Sequence, residues 1–91
     1  MLHDRLTAED VAAGGKQDAW VFASRPNGAI GEKVFWLDPR GELRGAARRL
    51  FALLRRLDAA GHTRIHLEKV PGRAGLAEAL NDRMARAAAR G

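Results

Sequence analysis

Apolar and polar positions recur along this chain on two periods, and the switches between them mark its elements. Leu43, Ala46, Ala47, Leu50, Leu53, Leu54 and Leu57 return at three- and four-residue steps, while Arg44, Arg48, Arg49, Arg55 and Arg56 fall on the other side. That pattern predicts an amphipathic helix over residues 42–60, ended by Gly61. Leu76, Ala77, Leu80, Met84, Ala87 and Ala88 mark a second amphipathic helix that runs almost to the C-terminus. Near the start, Thr7-Ala8-Glu9-Asp10 supplies an N-cap and an acidic first turn, and Gly14-Gly15 stops the helix after one or two turns.

Three segments read as strands. Ala19-Trp20-Val21-Phe22-Ala23 is a continuous apolar run closed by the turn-formers Ser24-Arg25-Pro26-Asn27-Gly28. Lys33-Val34-Phe35-Trp36-Leu37 is apolar on both alternating faces, which predicts a strand covered on both sides. Thr63, Ile65 and Leu67 alternate with His62, Arg64, His66 and Glu68, which predicts a strand over 62–68 near a sheet edge or an open face. The order is helix, strand, strand, helix, strand, helix, and the segment 33–68 has the form of a parallel βαβ crossover. A small three-layer α/β sandwich with a short, mostly parallel sheet follows, built as a single domain over residues 1–91.

Composition narrows the functions available. The chain has no cysteine, which removes disulfides, thiolate metal sites and a cysteine nucleophile together. Residues 1–10 carry Asp4, Arg5, Glu9 and Asp10 with no apolar run, and no stretch is long enough to span a membrane, so a soluble, cytoplasmic protein is expected. The net charge of +5 is uneven. Residues 1–41 hold 5 basic and 6 acidic side chains, whereas residues 42–91 hold 11 and 5. A basic second half suits an anionic partner; an Arg-, Ala- and Gly-rich composition accounts for the same bias without one.

No catalytic set emerges. His62 and His66, if on a strand, lie about 13 Å apart at about 3.3 Å per residue and cannot share a metal. Glu78 and Asp82 share a helical face with Arg83 and Arg86, the pattern of a solvated ion-pair surface. Gly28-Ala29-Ile30-Gly31-Glu32-Lys33 lacks the spacing of a phosphate-binding loop and reads as a turn. Gly72-Arg73-Ala74-Gly75 follows a strand and opens a helix, so it suits either an anion or simply a tight turn. The arginine ridges of the first long helix could track phosphates, but Trp20, Phe22, Phe35 and Trp36 read as strand core, which leaves no stacking platform between them.

The run Ala47-Arg48-Arg49-Leu50-Phe51-Ala52-Leu53-Leu54-Arg55-Arg56-Leu57-Asp58, with Gly61, Ile65, Glu68 and Pro71 after it, continues into Gly75-Leu76-Ala77-Glu78-Ala79-Leu80-Asn81-Asp82-Arg83-Met84-Ala85-Arg86-Ala87-Ala88. Over residues 47–88 this pattern resembles the C-terminal domain of the two-domain, Sua-type threonylcarbamoyl-AMP synthases, a translation-related family. The resemblance implies a small Rossmann-like α/β fold. It also implies a link to threonylcarbamoyladenosine formation in tRNA, through an enzyme that joins threonine, bicarbonate and ATP in a separate N-terminal domain. This chain is then expected to be a stand-alone, non-catalytic accessory domain, requiring no cofactor or metal and docking on a catalytic domain or another tRNA-modification protein. The alternative is a small basic module that binds RNA or nucleotide phosphate. The residues expected to dock or to bind an anion are Arg48, Arg49, Arg55, Arg56, Arg73, Gly75, Asp82 and Arg83. Arg55, Asp58, Glu68, Gly75, Asp82 and Arg83 are the positions the resemblance carries over. Ala77 departs from it where the family pattern has a second glycine, and Arg49 where it has asparagine.

Overall fold

In the computed structural model, which describes residues 1–15, 17–27, 31, 33–40, 42–62, 64–72 and 75–90, four parallel strands form one sheet flanked by three helices. In chain order these are β1 (Leu2–His3), α1 (Ala8–Ala13), β2 (Asp18–Ser24), β3 (Val34–Asp38), α2 (Leu43–Ala59), β4 (Arg64–Glu68) and α3 (Leu76–Arg90). The strands lie in the order β1-β4-β2-β3, all parallel, so the β3–α2–β4 crossover passes over β2. Register places Trp20 between His66 of β4 and Val34 of β3, and Leu2 beside Leu67.

Alternation along the strands sorts the core into two layers. Ala19, Val21, Ala23, Leu37 and Leu67 face α2 and α3, where they meet Leu50, Leu53, Leu57, Leu80 and Met84. Burial of each leucine there contributes about 1.5–3 kcal/mol, which makes the arginine-backed stripe of α2 the main anchor of the fold. Trp20, Phe22 and Val34 face the other way, under Leu6 and Val11 of the α1 region. Helices therefore cover both faces, and the α/β sandwich with its parallel sheet is the one the pattern predicts. Among the described residues no helix is long and apolar enough to cross a membrane.

Local chemistry sets the helix entries. The Thr7 hydroxyl accepts the Asp10 N–H at 3.2 Å, and the Asp10 carboxylate accepts the Thr7 N–H at 2.9 Å, a reciprocal cap that holds the Asp10 carboxyl below its ordinary pKa. The N-cap residue of α2, Glu42, makes no side-chain cap. Asp38 serves instead, accepting the N–H groups of Arg40 and Glu42 at 3.0 Å each. Gly45 makes room for that carboxylate, because a Cβ there would run into Asp38 Oδ1 and Cγ.

One expectation holds and one reverses. The doubly apolar strand, β3, is covered on both faces, Leu37 and Phe35 on the α2 side and Val34 and Trp36 on the other, although it is a sheet edge and Phe35 and Trp36 are only half-buried. The strand with a polar face, β4, is interior, because the two-residue β1 pairs with its outer side. Leu67 and Lys69 donate their N–H groups to the carbonyls of Met1 and His3, at 2.8 and 2.9 Å. His66 and Glu68 of β4 pair internally while Arg64 is exposed, which is why the alternation resembles a solvent face. Glu68 accepts the Leu6 N–H at 2.8 Å and the Ala23 N–H at 2.9 Å, tying the end of β4 to the chain on either side.

Candidate functional site

The expected site residues separate onto the two flanks of α2. On the inner flank, α2 and α3 enclose an open groove of about 740 Å³, floored by Ile65 and Leu67. Arg55 and Arg83 meet there, joined by Arg64, Arg86, His62 and Asp58. Phe51 also lines this groove, 46% exposed, with the Arg83 guanidinium 4.6 Å over its ring. Among the described residues no carboxylate lies within ion-pair distance of Arg55, Arg64 or Arg83; Arg86 pairs with Asp82 at 3.1 Å, one helical turn away. Asp82 is thereby part of a solvated ion-pair surface, as its neighbours predict.

On the outer flank, Arg48, Arg49 and Arg56 line a smaller groove of about 460 Å³ against β3. Its apolar wall includes Phe35 and Trp36, and Arg25 lies 5.4 Å over the Trp36 ring from beyond the strand. Exposed aromatic surface therefore does interleave with the arginines, at Phe51, Phe35 and Trp36, correcting the expectation that the helix lacks stacking platforms. Phe51 carried a signal. It falls outside the 43/46/47/50/53/54/57 stripe and so cannot face the sheet with the leucines.

Val70, just past the end of β4, is tied to α3. Asn81 accepts the Val70 N–H at 2.9 Å and donates to the Val70 carbonyl at 3.1 Å. Gly75 adopts φ +64°, a left-handed turn that glycine takes without strain, and its carbonyl accepts the Ala79 N–H. Arg73, the remaining expected anion ligand, lies outside the described residues.

A polar relay that sequence reasoning missed lies on the α1 side of the sheet. Asp18 accepts the Gly15 N–H at 3.1 Å and contacts His66 Nε2 at 3.2 Å, and His66 Nδ1 lies 3.0 Å from His3 Nε2. The carboxylate assigns the protons: His66 donates from Nε2, accepts at Nδ1, and His3 donates from Nε2. The His66 ring stacks on Trp20 with centroids 3.8 Å apart and is 5% exposed. Burial lowers the His66 pKa despite its bond to Asp18, while the Gly15 N–H, helped by His66, holds Asp18 below the ordinary carboxylate value. Both nitrogens of His66 are occupied in holding the sheet. Among the described residues no group of three or more His, Cys, Asp or Glu could hold a metal.

A family model described as the C-terminal domain of threonylcarbamoyl-AMP synthase matches residues 3–89. The chain belongs to that family. No curated protein and no solved structure matches this chain. The synthase C-terminal domain match extends beyond residues 47–88, where the motifs lie, to take in α1, β2 and β3. Of the positions carried over from the synthase C-terminal domains, Arg55, Asp58 and Arg83 converge in the inner groove, whereas Glu68 and Gly75 shape the backbone. The departure at Ala77 also has a physical basis. Ala77 is buried, and a Cβ on Gly72 would lie 2.7 Å from the Ala77 Cβ, so glycine at 72 leaves the space that alanine at 77 fills.

Proposed function

We propose that this chain is a non-catalytic accessory domain for threonylcarbamoyl-AMP synthesis, and through it for threonylcarbamoyladenosine formation in tRNA, acting by docking on a catalytic synthase domain. The family match over residues 3–89 carries the proposal. Two features support it. The one buried histidine spends both nitrogens on Asp18 and His3, and the outer groove offers the chemistry of a protein contact. There, half-buried Phe35 and Trp36 lie beside Arg48, Arg49 and Arg56, and aromatic residues and arginine are the side chains enriched at interface hot spots. The expected partner face is apolar at its centre and acidic at its rim.

The test combines binding and turnover. The chain is titrated into an isolated catalytic synthase domain from the same host, and threonylcarbamoyl-AMP is followed from threonine, labelled bicarbonate and ATP. The chain alone should give no product, and the two together a saturable complex that changes the yield and is weakened by Trp36→Ala. Product from the chain alone would overturn the non-catalytic role, and absence of any complex would overturn docking.

A further inference from the structure

We infer that the inner groove between α2 and α3 binds single-stranded nucleic acid, with one base stacked at Phe51 and Arg83 and the adjoining phosphates held by Arg55 and Arg64. The inference stands on the groove alone and goes beyond the accessory role. Phe51 is a large aromatic side chain, nearly half exposed and outside the core stripe. The Arg83 guanidinium already lies over its ring at 4.6 Å, so a base adds to a stack of aromatic ring and guanidinium that is already begun. Arg55 and Arg64 line the same groove without a carboxylate in ion-pair distance among the described residues. They are cations left for an external anion.

The aromatic platform decides between classes of polyanion: a nucleobase is a flat group that stacks at Phe51 and Arg83, whereas the carboxylates of an acidic peptide gain nothing from it. Asp58, which lines the same groove, repels either polyanion alike but accepts a hydrogen bond from the exocyclic amine of a base. Aromatic platform, phosphate-binding arginines and an acceptor for base amines together match a nucleotide unit. The groove is open to solvent, so a strand can enter it from the side.

The test is fluorescence anisotropy with labelled adenosine- and uridine-rich RNA oligomers of about 12 nucleotides and their DNA counterparts. Either strand should bind, with affinity falling steeply between about 50 and 200 mM salt. Phe51→Ala should weaken binding by about tenfold or more, the loss expected for one stacked base. Arg55→Gln should weaken it and flatten the salt dependence by about 0.7 in log–log slope. Circular dichroism confirms that Phe51→Ala folds, and Arg83→Gln, a wholly surface change, gives an independent loss. Binding unchanged in both Phe51→Ala and Arg83→Gln would overturn the site, as would no binding at low salt. So would displacement of the oligomer by polyglutamate at equal charge, or adenosine monophosphate binding as tightly as the strand.

Discussion

Replacing His66 by phenylalanine isolates the chemistry of the Asp18–His66–His3 relay from its packing. The variant keeps a flat ring against Trp20, where the centroids are 3.8 Å apart, but removes both nitrogens. The bond to buried Asp18 is charge-assisted and worth about 1.5–3 kcal/mol. The bond to half-buried His3 is worth less, about 0.5 kcal/mol, because water can replace it. Against these, phenylalanine brings extra apolar burial of about 1 kcal/mol. The net expectation is a loss of about 1–2.5 kcal/mol at pH 7, or a melting temperature about 4–20 °C lower for a chain of this size. The pH dependence supplies the sharper signature. Burial puts the folded-state pKa of His66 below its ordinary 6.5, so on acidification the unfolded chain takes up that proton first. His66 therefore contributes fully above pH 6.5 and progressively less as pH falls below it, whereas the variant has no such proton to take up. Urea melts at pH 7 and pH 5 should show the gap between the two proteins narrowing at the lower pH. A variant as stable as the parent at pH 7, or a gap that stays constant or widens at pH 5, would refute the relay as drawn.

Glu68→Gln should cost about 1–3 kcal/mol in a urea melt, because only one of its two end atoms can still accept a hydrogen bond while both Leu6 and Ala23 present N–H groups. Gly45→Ala should lower the melting temperature despite the gain of about 1 kcal/mol in helix propensity, since the new methyl displaces Asp38 from the N–H groups of Arg40 and Glu42. An unchanged or raised melting temperature would mean that Asp38 does not hold the entry to α2. Acid should destabilise the protein a second time below about pH 4, as Asp18 and Asp38, both held below their ordinary 3.8 by backbone N–H groups, are protonated on unfolding; circular dichroism on acid titration reads this step.

The long helices and the three longer strands were legible because each has enough residues to display its period. The leucines of α2 and the apolar run at 19–23 could scarcely have been placed otherwise. Sheet position was not legible. β1 is two residues long and shows no period, yet its pairing moves β4 from edge to interior. The polar alternation of β4 misled for a related reason: His66 and Glu68 are satisfied by Asp18, Leu6 and Ala23, partners distant in sequence whose approach no local pattern announces. The half-exposure of Phe35 and Trp36 was not legible either, since an apolar pair covered on both faces looks the same whether or not a further strand lies beside it. For the site, the arginines and Asp82 could be named from sequence. Their division between two grooves depends on which flank of α2 meets β3 and which meets α3, a property of the packed sheet.

The pairing of β1 with β4 also bears on how the molecule opens. It joins segments more than sixty residues apart in sequence through a strand only two residues long, so its loop-closure cost is high and its own contacts are few. Such a seam is suited to form late during folding and to part first afterwards, well below the free energy of global unfolding. When it parts, Leu67 and Lys69 lose the carbonyls of Met1 and His3, and β4 becomes an unpaired edge. His3 leaves the relay in the same motion, so one small opening both exposes a sticky strand and loosens the polar bond beneath it.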